Sequence, residues 1–325
     1  MQQAPKVSVL IPTYNYAHLL DETIQSVMAQ TYTEFELIIV DNCSTDNTVE
    51  VVQKYLQDPR VSFYRNEKNL GLTGNWNRCL ELAKGEYIKY LCADDKLHPQ
   101  ILEKYVPVMD ADAGISVISC YRQDFDSTGL KKKVTHPPYI NKIEGKKVIY
   151  DLVKHDNNFL GDPTRPMFRR ANFEKVGNFK QLEFVTDWEM WVRQLTVGDC
   201  FVVPEILAYG RRHPGQQQVR CKKLSINHLE LYQLYKAIQK GEYGFTYTEQ
   251  REELDKMVKA KAAKCAFAMY KLIPKVHKEE NRRLIKKFFW IAVAENVLVH
   301  PAVFDVYKQK LSDRKMVKQK LKHSV

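Results

Sequence analysis

Lys84–Pro99 reads K-G-E-Y-I-K-Y-L-C-A-D-D-K-L-H-P, and the fold of the N-terminal region is decided there. Gly85 ends whatever precedes it, and Tyr87, Ile88, Tyr90 and Leu91 make a short run of strand-forming residues. The run breaks abruptly at two adjacent carboxylates, Asp94 and Asp95. In an open parallel sheet ligands collect beyond the carboxyl ends of the strands, so a strand that delivers paired acids there points to a metal or polar-ligand site. The competing reading is a solvated acidic turn in which Asp95 caps the helix after Pro99.

Working outward, Val7–Ile11 is a β-branched apolar run stopped by Pro12, and Phe35–Val40 is a second run that ends at Asp41. Val61–Tyr64 is a third, and the opening stretch is the fourth. Between them, Leu19, Leu20, Ile24 and Val27 recur at helical spacing, as do Val49, Val52 and Leu56, and then Trp76, Leu80 and Leu82. Strands alternating with helices predict right-handed βαβ units and an α/β, Rossmann-like, mostly parallel sheet with helices on both faces. The strand tips then converge on one edge, bringing together Pro12, Thr13, Tyr14, Asp41, Asp94 and Asp95, where a nucleotide could lie across the switch point. Neither G-x-G-x-x-G nor G-x-x-x-x-G-K-[ST] is present, so a dinucleotide fold and a phosphate loop are poorly supported.

Further along, Ile115–Cys120 reads as a strand, and 126–145, with Lys131–Lys133 and T-H-P-P-Y, reads as an exposed excursion. In F-V-T-D-W-E-M-W-V-R-Q-L-T-V-G (Phe184–Gly198), Trp188, Trp191, Val192 and Leu195 form one apolar helical face with Thr186 or Asp187 at its start. Asp187 is either an N-cap or a functional carboxylate, and one residue can be both. Y-G-R-R-H-P-G-Q follows a last strand-like run, and His213 in it is either a ligand or a hydrogen-bonding surface residue.

Here the resemblance becomes specific. V-S-V-L-I-P-T-Y-N (Val7–Asn15), F-E-L-I-I-V-D-N-C-S-T-D-N-T (Phe35–Thr48) and G-E-Y-I-K-Y-L-C-A-D-D (Gly85–Asp95) resemble, in order and spacing, the family-2 glycosyltransferases with the GT-A fold, many of them bacterial enzymes of polysaccharide or glycoconjugate biosynthesis. The resemblance implies a nucleotide-sugar donor (a UDP-sugar favoured), a divalent Mn²⁺ or Mg²⁺, and inversion at the anomeric carbon. It implies that Pro12, Thr13, Tyr14 and Asp41 hold the nucleoside, and that Asp94 is the metal ligand with Asp95 beside it on the donor side. Asp187 matches the aspartate of the family's E-D-x-D-L-W-L-R motif and would be the general base, with Thr186 and Glu189 in place of two acids. His213 would complete the metal shell, and Arg211 or Arg212 would contact phosphate. The sequence departs from the pattern at Cys92, where the family's Asp-x-Asp has its first acid, at Asn42-Cys43 in place of Asp-Gly, and at Gly210 in place of a tyrosine. A thiol is a softer ligand than Mg²⁺ or Mn²⁺ prefers. A nucleotide-sugar-binding protein that has lost catalysis, or a membrane-docked scaffold, is therefore the alternative.

Beyond about residue 215 the strand signals stop, which predicts a GT-A domain over 1–215 and a basic helical region over 216–325. Helices are expected over 224–240, 249–273, 278–299 and 301–322. From Lys256 to Val325 there are 18 Lys and Arg against five Asp and Glu, whereas the residues before carry 32 against 34. Basic helices on a near-neutral body fit either a solvated face or an anionic membrane surface; nucleic acid is the weaker choice, because no recognised motif accompanies the charge. The membrane reading suits a transferase whose acceptor is a saccharide or, more directly, a lipid-linked saccharide. Seven scattered cysteines with no C-x-x-C argue against a disulfide framework or a zinc ribbon. M-Q-Q-A-P-K enters a strand with no signal-peptide pattern, so the expected location is cytoplasmic, with peripheral attachment to the inner face of the cell membrane if the basic helices dock there.

Overall fold

The alternation of apolar runs builds what it predicts in a computed structural model of the chain, which describes residues 4–213 and 217–298. β1 (Val7–Thr13), α1 (Ala17–Met28), β2 (Phe35–Asp41), α2 (Thr48–Gln53), β3 (Val61–Arg65), α3 (Gly71–Leu82) and β4 (Tyr87–Tyr90) follow in strict order. After them come β5 (Lys96–Leu97), α4 (Ile101–Ala111), β6 (Ile115–Asp126), β7 (Gly129–Thr135), β8 (Asn141–Ile143) and α5 (Gly145–His155). β9 (Met167–Arg169), α6 (Asn172–Val176), α7 (Thr186–Thr196) and β10 (Asp199–Arg211) complete the first unit.

The sheet runs β3-β2-β1-β4-β9-β6-β10-β5, with β7 beside β6 and β8 beside β10. β1 pairs in parallel with β2 and β4, β2 with β3, and β6 with β10. β9 is antiparallel to both β4 and β6, so β6 and β10 again point the way β4 does. Because side chains alternate across a strand, each strand serves two cores. Val7, Val9, Ile11, Phe35, Leu37 and Ile39 pack with the inner faces of α1, α2 and α4. The other face is aromatic: Trp76 of α3 lies 5.7 Å from Tyr90 and 5.2 Å from Phe179, and Phe168 lies 5.7 Å from Trp191 of α7. Each fully buried aliphatic side chain of this kind contributes about 1.5–3 kcal/mol.

Three expectations are corrected. The strand begun at Ile115 continues to Asp126, and the excursion after it is a hairpin, with Phe125 opposite Leu130, followed by β8 on β10. Asp95 caps no helix, since α4 starts six residues later behind Gln100. Nor is Asp187 an N-cap: Val185 holds that position and Asp187 lies in the first turn, where the helix dipole still favours a carboxylate.

The second unit consists, among its described residues, of α8 (Gln217–Leu224), α9 (Ile226–Gln239), α10 (Arg251–Leu272) and α11 (Glu279–Ala294), with α9, α10 and α11 packed in sequence. The helix expected over 301–322 lies outside the described residues. Among those described, no helix is long and apolar enough to cross a membrane.

Candidate active site

Parallel pairing brings the carboxyl ends of β1, β2, β4 and β10 to one edge. Thr13 stands opposite Asp41 in register, and the Asn42 amide donates to the Thr13 carbonyl at 2.9 Å. Asp41 is fully buried, and its Oδ1 accepts the Ser44 amide at 3.0 Å. Its Oδ2 lies 3.3 Å from the Arg65 Nε without hydrogen-bond geometry, and the Thr13 Oγ1 is likewise buried with no hydrogen-bond partner. Buried polar atoms are rarely left so, and here two stand together at one strand edge. Tyr14 is exposed above them.

The departure Asn42-Cys43 has a local reason. The Asn42 amide donates to the Asn69 Oδ1 at 3.0 Å and the Gly71 carbonyl at 3.2 Å, while its oxygen accepts from the Asn66 Nδ2 and the Leu70 amide. An aspartate there could accept but not donate. Cys43 takes the left-handed conformation, φ 66°, that suits a glycine.

Beyond β4, Cys92–Asp95 forms a turn closed by the Asp95 amide on the Cys92 carbonyl at 3.0 Å. The Thr23 hydroxyl of α1 pins it through the carbonyls of Ala93 and Asp95. One ligand atom each of Cys92, Asp94 and Asp95 lies within 4.8 Å of the others. Asp94 Oδ2 meets the His213 Nε2 at 2.9 Å, and Tyr16 stands edge-on to that imidazole at 5.7 Å. Asp95 is deeper, and both its oxygens are taken: Oδ2 by the Thr164 hydroxyl at 2.6 Å, Oδ1 by the Arg211 amide at 2.9 Å. Burial, and then the Asp94 charge, push Asp95 up to about 6, with Arg122 pulling the other way. Burial, followed by Asp95 and Asp94, drives the Cys92 thiol well above its ordinary value, which keeps it neutral.

Of the two arginines after Gly210, Arg211 is committed to the turn: its Nε donates to the Asp94 carbonyl at 2.9 Å and its Nη2 to Glu22 at 2.9 Å. Arg212 is more open, with its Nε on Asp124 at 2.7 Å. Gly210 itself faces Arg122, whose guanidinium occupies the place a side chain at 210 would take. Arg122 is buried and pairs with Asp124 at 3.1 Å and with Asp162. A guanidinium thus fills the space that a tyrosine at 210 would need.

Asp187 lies at the mouth of α7, with Oδ1 on the Trp188 amide at 2.9 Å and Oδ2 receiving the Asn158 Nδ2 at 3.2 Å. Burial pushes it up to about 7, against the pull of the Arg165 charge. The 156–166 loop links the two acid sites: Thr164 holds Asp95 and Asn158 holds Asp187. The loop is anchored in turn by buried Lys89, which donates to the carbonyls of Tyr90, Thr164 and Pro166, and by the Trp191 Nε1 on the Gly161 carbonyl at 2.9 Å. Thr164, Asn158, Lys89 and Arg122 were not singled out by the sequence. The one available signal was a lysine in the middle of the apolar run Tyr87–Leu91.

The family model for glycosyl transferase family 2 matches residues 8–177. A Bacillus subtilis protein named as a candidate glycosyltransferase of teichuronic acid biosynthesis, TuaG, is 36% identical over 135 residues, 41% of this chain and 54% of that relative, so the match spans about half its length. Residues 1–349 of S. aureus TarS, solved in complex with UDP-GlcNAc, share the fold with a TM-score of 0.58 at 18% identity, over 94% of this chain and 92% of that one. The mannosyltransferase PcManGT of Pyrobaculum calidifontis, solved with GDP-Man and Mn²⁺, does so with a TM-score of 0.55 at 17% identity, over 94% and 88%.

Proposed function

This chain belongs to glycosyl transferase family 2, and from that premise we propose that it transfers a sugar from a nucleotide donor, a UDP-sugar first, to a hydroxyl of a saccharide or lipid-linked saccharide, with inversion. The observation that carries the reading is the 156–166 loop, which fixes a strand-end acid pair through Thr164 and a raised, half-buried carboxylate through Asn158. The donor's base would lie at Asp41 and Thr13, where the Thr13 Oγ1 has no hydrogen-bond partner and the Asp41 Oδ2 has only the Arg65 charge beside it, with Pro12 and Tyr14 flanking it. Arg212 is the cation best placed for diphosphate, because Arg211 is already engaged.

Asp94 and His213 suit a divalent cation: a carboxylate and an imidazole meet at 2.9 Å, the donor set that Mn²⁺ accepts, whereas Asp95 already accepts one hydrogen bond on each oxygen and Cys92 is a neutral thiol. Such an ion would offset charge on the diphosphate leaving group. Asp187 takes the proton of the acceptor hydroxyl while that oxygen bonds to the anomeric carbon and the bond to the diphosphate breaks on the opposite side. A carboxylate raised to about 7 is a stronger base than an ordinary aspartate; it is about half ionised at neutral pH and becomes mostly ionised above it.

The test is a panel of uridine, guanosine and thymidine diphosphate sugars with Mn²⁺, read as release of nucleoside diphosphate. Asp187→Asn should lower turnover by at least about a hundredfold and leave donor affinity intact. Loss of donor binding instead would remove the base role. Tight donor binding with no release from any sugar would favour the catalytically silent binder that Cys92 and Gly210 suggest.

A further inference from the structure

The second unit carries a surface that the proposed reaction does not use. α11 buries Asn281, Leu284, Phe288 and Ala292, three or four residues apart, as a helix packed along one side must. The opposite side has two halves. Arg282, Arg283, Lys286 and Lys287 are exposed along its first turns. Phe289, Trp290 and Val293 follow, exposed at 40%, 59% and 42%. At 3.6 residues per turn all seven fall within an arc of about 160°. Glu279 in the first turn lies on the same side and pairs with Arg283 at 2.5 Å, but no acid follows between Arg282 and Ala294. The Phe289 and Trp290 rings meet edge-on at 5.5 Å, a preformed aromatic ledge.

This combination selects one occupant. A nucleic-acid surface would use the cations but leave the ledge in water, and a protein interface core tends to exclude lysine. An anionic bilayer uses both halves: aromatic side chains settle at the headgroup level, and Lys and Arg meet lipid phosphates. We propose that the outer face of α11 docks on an anionic lipid bilayer, with Phe289, Trp290 and Val293 entering the headgroup region and the four cations holding the helix to the surface. The proposal stands on α11 alone and holds whichever sugar or acceptor the first unit takes.

The experiment is co-flotation of the full-length protein with vesicles of phosphatidylcholine alone or mixed with phosphatidylglycerol, at low and high salt, with Trp emission recorded in parallel. Binding to the mixed vesicles at low salt is expected, weakened by salt, absent on phosphatidylcholine and accompanied by a blue shift that Trp290→Ser removes. Phe289→Ser/Trp290→Ser and, separately, Lys286→Glu/Lys287→Glu should each lower the bound fraction by about tenfold or more. Release of nucleoside diphosphate from a sugar donor should not change in either variant. The charge-reversal pair is exposed, so it decides the matter if the apolar pair folds poorly. Flotation equal to the parent in both variants would overturn the proposal by placing lipid binding elsewhere on the chain. Absence of flotation at low salt would overturn it outright. A dimer in sedimentation that Trp290→Ser converts to monomer would replace the bilayer with a second copy.

Discussion

At the scale of single residues, two positions turn geometry into measurable outcomes. Arg122 is buried between Asp124 and Asp162 and flat against Gly210. Arg122→Met should cost about 1–3 kcal/mol in denaturant unfolding, because it takes the partner from Asp162 and leaves Asp124 to Arg212 alone, close to Asp95. Gly210→Tyr, which restores the family's residue, should fail for the same reason: the ring and the guanidinium need one space. Only a double change that also shortens Arg122 should recover stability, and the double-mutant cycle measures it. Asp187 gives the pH dependence. Its folded value is raised to about 7 from an ordinary 3.8, so the native state prefers the protonated form. Stability from this group is therefore highest below the ordinary value and falls as pH rises through the window up to about 7. Activity runs the other way, since only the ionised carboxylate takes a proton. The acid limb of kcat/KM should then sit near 7, and it should vanish from the little activity Asp187→Asn retains; an unchanged limb would assign it to Asp95, raised to about 6.

At the scale of elements, the 156–166 loop is the piece that makes one site of two. Thr164→Val removes the hydroxyl from a buried carboxylate oxygen and should cost about 1–3 kcal/mol, expressed mainly as a higher donor KM. Asn158→Ala frees Asp187 and should lower kcat with little change in donor KM. If both variants shift the same constant, the loop does not divide its work this way. Neither contact was legible in the sequence. A hydrogen bond between residues 69 positions apart leaves no periodicity, and β9, only three residues long, is indistinguishable from loop within R-P-M-F-R-R. The central parallel strands β1, β2 and β4 were legible because each is buried on both sides, and burial on both sides writes a continuous apolar run such as V-S-V-L-I. The acids at the strand tips were legible for the complementary reason that each ends such a run. Arg122 was hidden because its strand turns polar, Y-R-Q-D-F-D, once it leaves the core for the site edge.

At the scale of the whole chain, charge and chemistry are segregated by sequence. The acids of the candidate site all lie in Met1–Gln216, and the basic excess begins at Lys256 in Gln217–Val325. Ligand linkage follows this division. If the proposed assignment holds, a nucleoside diphosphate with Mn²⁺ will bind where Asp41, Asp94 and His213 stand and stabilise that unit by RT ln(1 + [L]/Kd), about 2.7 kcal/mol at a hundredfold excess over Kd. Differential scanning calorimetry of the full chain should show this as a selective upward shift of one transition if the units unfold separately, and of the single transition if they unfold together. Asp94→Ala should abolish the Mn²⁺-dependent part of the shift, and Asp41→Ala the nucleotide-dependent part. Added anionic vesicles should leave both parts in place, because α11 shares no residue with either group. A vesicle-dependent loss of the nucleotide shift would instead show that the lipid surface competes for the site itself.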